Sequence, residues 1–97
     1  MKFKNADEML TIDDVTERMC EMGYEDAGIF VDPDYAKAIV GYTDDGRVVY
    51  SYEGICQCLM DDNDMEWEEA MEFVDYNVVR TVPYMGERAP IIIYSFE

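Results

Sequence analysis

Apolar positions recur with two different periods along the chain, and the switches between them mark its elements. Ile12, Val15, Met19 and Met22 fall at helical spacing. Thr11-Ile12-Asp13-Asp14 before them has the form of a capping box, with Thr11 as N-cap, and Gly23 after them suits a helix stop. The pattern predicts a helix over 12–22. Ala27 to Val31 is short and apolar, as a strand would be, and Asp32-Pro33-Asp34 is a turn signal. Ala36–Tyr42 and Arg47–Ser51 flank Thr43-Asp44-Asp45-Gly46, a hairpin signature with glycine available for positive φ. These three segments predict an antiparallel meander.

Beyond Tyr52 the period becomes helical again. Ile55, Cys58 and Leu59 cluster on one side of a short helix ending near Asp61-Asp62-Asn63. A longer helix is predicted from Met65 to Arg80, with Trp67, Met71, Val74 and Val78 as its buried stripe, widened by Ala70, Phe73 and Thr81. Pro83 stops it, Tyr84 to Pro90 reads as a loop, and Ile91-Ile92-Ile93-Tyr94 reads as a strand buried on both faces or paired centrally. The predicted order is α-β-β-β-α-α-β. The expected fold class is α+β: an antiparallel sheet of about four strands with helices packed on one face, in a single domain over 1–97.

Composition narrows what such a domain can do. Of 97 residues, 49% are hydrophobic, with one Trp, eight Tyr and four Phe, enough for a core. Asp and Glu number 23 against 7 Lys and Arg, a formal net charge of −16. Direct binding to nucleic acid or an anionic membrane is excluded, because those surfaces repel the chain. No apolar run reaches the roughly 18–20 residues of a membrane span, and MKFKNADEML lacks the apolar stretch of a secretory signal. A cytoplasmic protein with reduced thiols is the expectation. The absence of histidine removes His-based triads and His-ligated metals.

The carboxylates are concentrated. No Lys or Arg stands between Val48 and Val79, where nine acids do. Glu68, Glu72 and Asp75 fall at i, i+4 and i+7 on the long helix, Glu69 beside them, and Asp61, Asp62 and Asp64 at the preceding bend. Like charges at helical spacing oppose folding by a few tenths of a kcal/mol per pair, so either solvation or binding must account for the row. As a binding surface it resembles a polyanion: carboxylates ~5–6 Å apart against one charge per ~3.4 Å of a DNA strand. Exposed tyrosines beside it, Tyr76 above all, would add contacts typical of protein interfaces. Asp61, Asp62, Asp64, Glu68, Glu69, Glu72, Asp75 and Tyr76 are the candidate partner-binding residues.

Other chemistry is weaker. Cys20, Cys56 and Cys58 could supply three thiolates to zinc, but Cys56 and Cys58 stand at i, i+2 of a helix and point apart, so small buried hydrophobes are the expectation. Asp61, Asn63 and Glu72 occupy positions 1, 3 and 12 of an EF-hand loop, yet Met65 and Glu66 stand where a carboxylate and a glycine belong. No nucleotide loop or nucleophile elbow is present; neither an enzyme nor a bound cofactor or metal is expected. Arg47, Arg80 and Arg88 are so outnumbered that each should meet an acidic neighbour. Met9, Met60, Met65 and Met85 stand near element ends, where they could add adaptable apolar contact.

Tyr35-Ala36-Lys37-Ala38-Ile39-Val40-Gly41, Asp45-Gly46-Arg47-Val48-Val49-Tyr50, Glu68-Glu69-Ala70-Met71-Glu72-Phe73-Val74-Asp75-Tyr76-Asn77, Arg80-Thr81-Val82-Pro83-Tyr84 and Ala89-Pro90-Ile91-Ile92 together resemble a family of small acidic proteins. Phages and mobile elements of gut Gram-positive bacteria encode that family, and the resemblance spans residues 10–95. Size, charge and setting are also similar to those of anti-CRISPR proteins that inhibit type II effector nucleases. The resemblance implies an acidic, nucleic-acid-mimicking inhibitor of a host defence protein, foremost a CRISPR effector nuclease. The alternative is a phage structural or regulatory protein-binding domain whose acidity serves solubility.

Whatever the partner, uncompensated charge opposes compactness. The melting temperature should rise between low and moderate sodium chloride as screening sets in; a scan by differential calorimetry that stays flat or falls would contradict this.

Overall fold

A computed structural model describes residues 11–31 and 34–96 of the chain. The chain's start, including Met9, and Asp32-Pro33 of the predicted turn lie outside the described residues. The elements are α1 (Ile12–Glu21), β1 (Ile39–Tyr42), β2 (Val48–Ser51), α2 (Tyr52–Asn63), α3 (Trp67–Asn77) and β3 (Ile91–Ile93). Short 3₁₀ turns cover Ala36–Ala38 and Val79–Tyr84. No described helix is long and apolar enough to cross a membrane.

The α1 helix forms as its sequence demands. Thr11 Oγ1 accepts from the Asp14 amide and Asp14 Oδ2 from the Thr11 amide, at 3.2 and 3.0 Å. Gly23, at φ 86°, ends it. The hairpin also follows the expectation, with Ile39 facing Tyr50 and Tyr42 facing Val48 across antiparallel strands, and an irregularity between Ile39 and Gly41. Its turn requires Gly46: φ is 86°, and a Cβ there would stand 2.5 Å from the Tyr24 ring. Tyr24 in turn donates its hydroxyl to the Asp44 carbonyl at 2.9 Å.

The sheet differs from the expectation of about four antiparallel strands. It has three, in the order β1-β2-β3, and β3 runs parallel to β2. The connection through α2 and α3 returns the chain to the end of the sheet where β2 begins, so the last strand enters in the same direction. The Ile91–Ile93 run is therefore an edge, not a centre, and Ile93 is 45% exposed.

Ala27–Val31 is not a strand. The Phe30 amide donates to the Tyr50 hydroxyl at 3.1 Å, and the Gly28 amide to the Arg88 carbonyl at 2.8 Å. A side-chain oxygen has replaced a ladder partner, and the segment packs against the core with the Phe30 ring edge-on to Tyr35 and Tyr50. The strand predicted from Ala36 begins only at Ile39. Tyr35 adopts a left-handed φ of 47° and Asp34 accepts from the Ala36 amide at 3.1 Å, which starts a 3₁₀ turn instead.

The helix predicted over 65–80 ends at Asn77 and continues as the 3₁₀ turn that holds Pro83. Proline cannot donate to the carbonyl four residues back, so the chain tightens before it. The buried stripe also shifts. Ala70, Val74 and Val78 are buried, whereas Trp67, in the first turn of α3, is 39% exposed and Thr81 is exposed. Ala70 is fully buried in the core, whereas Trp67 is neither in the core nor among the partly buried residues packed against it.

One core holds the molecule together. Val15 and Met19 of α1, Val48 and Tyr50 of β2, Ile55, Cys56 and Leu59 of α2, and Ala70 and Val74 of α3 all belong to it. Val48 and Tyr50 share one face of β2, and both join residues of α1, α2 and α3 in this core. Burial pushes the Tyr50 hydroxyl up to about 12, against the smaller opposing pull of the Phe30 amide. Replacing Tyr50 with Phe leaves that part-buried amide without its partner, and should cost about 1–3 kcal/mol of unfolding free energy by denaturant titration. An unchanged midpoint would contradict this account.

Candidate functional site

All seven candidate carboxylates are exposed. Asp61 and Asp62 belong to the last turn of α2. Asp64 follows in the left-handed conformation, at φ 54°, and turns the chain toward α3. Glu68, Glu69, Glu72 and Asp75 project from α3 away from Ala70 and Val74, since the helix period places them across the axis from that stripe. The acidic bend and the acidic row thus form one continuous feature, running from the end of α2 along the outer side of α3.

The fold uses little of this charge. Asp61 accepts from the Gln57 amide nitrogen at 2.9 Å. Asp75 accepts from the Tyr52 hydroxyl at 2.8 Å, and is thereby tied to the first residue of α2. Tyr52 is itself buried and stacks on Tyr94, with ring centroids 4.7 Å apart. Asp75 is accordingly as much a tether between α2 and α3 as a surface charge, which its spacing in the sequence did not disclose. Burial first, and Asp75 second, raise the Tyr52 hydroxyl pKa well above its ordinary value.

Tyr76 is 68% exposed, with the Arg80 guanidinium 5.2 Å from its ring centroid. Arg80 meets an aromatic face where an acid was expected. Arg47 likewise donates to the Ala89 carbonyl at 2.8 Å. Only Arg88 follows the expectation fully: its guanidinium binds Asp26 at 2.7 Å, lies 4.8 Å from the Tyr24 ring centroid, and donates to the Asp45 carbonyl. It is the one ion pair joining two described residues.

The metal readings find no geometry. Asp61 and Asn63 are helical and Glu72 lies within α3, so no calcium loop exists around them. Cys56 and Cys58 sit in the core and Cys20 is exposed on α1; among the described residues no three ligating side chains gather. Burial, then Glu53 and Asp75, push the Cys56 thiol up to about 11.

A second feature went unforeseen. Ile29, Phe30, Val31 and Tyr35 face Phe73, Asn77 and Val78 of the α3 end, with Met85, across an open groove of about 390 Å³. Its only signals in the sequence were the apolar run at 29–31 and Met85 near an element end, and neither distinguishes groove from core. The molecule is thus a small acidic α+β protein whose described residues include an outward row of carboxylates and a mostly apolar groove at the end of α3. No protein-family model matches the chain, and comparison with curated proteins and with solved structures finds no match.

The thiols provide a direct check of this placement. In native protein at pH 8, a colorimetric disulfide reagent should titrate Cys20 quickly and Cys56 and Cys58 only on unfolding. Because folding raises the Cys56 pKa above its unfolded value of 9.0, the thiol's stabilising contribution is complete below pH 9 and is lost as pH rises toward 11. Three fast native thiols would refute the packing described.

Proposed function

We propose that the protein is a non-catalytic inhibitor that occupies the nucleic-acid-binding channel of a basic host protein. The observation carrying this reading is the ridge from Asp61 to Asp75: exposed, uninterrupted by any basic residue, and largely unused by the fold. A partner that reads regularly spaced phosphates by charge accepts such a row, and electrostatic steering makes association fast. Exposed Tyr76 stands on the same face and offers a contact that is not purely charged. The resemblance to mobile-element proteins makes a type II CRISPR effector nuclease the first partner to test, and the cytoplasm, where such an effector acts, the compartment.

The experiment is DNA cleavage by guide-loaded type II effector, titrated with the protein before or after target DNA. Inhibition should appear only when the protein is added first. The triple variant Glu68→Gln, Glu69→Gln, Glu72→Gln should raise the half-inhibitory concentration by at least about tenfold, while Asp75 is left intact to preserve its tether to Tyr52. No inhibition at stoichiometric excess removes this nuclease as the partner. Inhibition unaffected by the triple variant removes the ridge as the means.

A further inference from the structure

We infer that the groove between residues 29–31 and the end of α3 is a docking site for a basic segment of a partner protein that carries a large apolar side chain. The lining is mostly apolar, with Ile29, Phe30, Val31, Phe73 and Met85 among its residues, and Tyr35 and Asn77 carry its polar side-chain groups. The Asn77 side-chain nitrogen donates to the Phe73 carbonyl at 3.1 Å, which leaves its carboxamide oxygen as the group able to accept from an occupant. At about 390 Å³ the groove has room for an aromatic or branched side chain. Val31 is 73% exposed although it is a large aliphatic residue, so this surface is already solvated in the free protein.

Charge selects the occupant. On α3, exposed Glu69 stands one turn before Phe73 on the same side, which places one carboxylate of the acidic row at the rim of the groove in a chain of net charge −16. Nucleic acid is repelled by that rim and finds no cation in the lining. A second copy of the chain would bring another sixteen negative charges to the contact. A segment of Lys or Arg with one apolar anchor satisfies both the rim and the floor, as in the helix-in-groove mode of peptide recognition. The inference rests on the proposed function only in requiring a basic partner; the groove supplies the apolar half of the specificity.

Two synthetic peptides of about twelve residues test it. One alternates lysines with leucines at helical spacing; the other carries the same lysines with serine in place of leucine. Binding to the full chain is measured by fluorescence anisotropy at fixed ionic strength. The Lys–Leu peptide should bind about tenfold or more tighter, the contribution of one buried large side chain. Val31→Glu, at an exposed site, should abolish that advantage without weakening the Lys–Ser peptide, since the substitution adds negative charge. Met85→Ser, as a second variant, should reduce the advantage without any change of charge. The Glu68, Glu69, Glu72→Gln variant should weaken both peptides alike. Equal affinities for the two peptides, or an advantage that survives Val31→Glu, overturn the groove and leave the acidic ridge standing. No binding of either peptide overturns the basic partner as well. Self-association of the free protein in sedimentation that Val31→Glu abolishes would assign the groove to a second copy and overturn the inference.

Discussion

A buried phenol at the middle of a narrow sheet organises this molecule. Tyr50 is fully buried on β2, the one strand hydrogen-bonded on both sides, and its hydroxyl takes the Phe30 amide. The hydroxyl thereby satisfies a backbone group that no strand reaches, and lets an irregular segment lie against the core without an unpaired donor. The same strand passes into α2 with no linker. Ser51 is both the last residue of β2 and the N-cap of α2, its hydroxyl accepting from the Gly54 amide at 3.0 Å. The position of β2 thus sets α2, α2 sets α3 through Ala70 and the Tyr52–Asp75 bond, and α3 sets both the ridge and the groove.

Local elements were legible where local chemistry decides them. The Thr11–Asp14 box, the Gly23 stop, the Thr43–Gly46 hairpin and the end of α2 near Asn63 all follow from residues within a few positions of one another. The misread segments were those decided at a distance. Ala27–Val31 has the composition of a strand, but its hydrogen-bond partners are Tyr50 and Arg88, far along the chain. Three isoleucines in a row predict a strand correctly, yet nothing in them distinguishes edge from centre or parallel from antiparallel. The ridge was legible because it depends on helical period alone. The groove was not, because its two walls come from different parts of the sequence.

Acidity and stability pull against one another here. Two arginines do appear at structural joints: Arg88 gathers the 24–26 turn, the hairpin turn and the approach to β3, and Arg47 fixes the Ala89 carbonyl. These two arginines hold loops together, and α2 and α3 contain no Lys or Arg. A fold built only for stability would intersperse Lys at i, i+4 along α3. Surface charge of one sign on an amphipathic helix is a feature that binding can explain and packing cannot.

The parallel pairing of β3 also orders the assembly of the chain. The hairpin and α2 are neighbours in sequence and close only short loops, whereas β3 must return across residues 52–90 to meet β2. Chain closure over that span is entropically slow relative to the hairpin, and its reward is a three-residue strand on one edge. β3 should therefore be the last strand to dock and the first to leave. Its departure would free the Tyr94 stack on Tyr52 while β1, β2 and the start of α2 stay joined. Local opening in this protein begins at the sheet edge remote in sequence from the hairpin, and hydrogen exchange there reports on a smaller free energy than exchange at Tyr50.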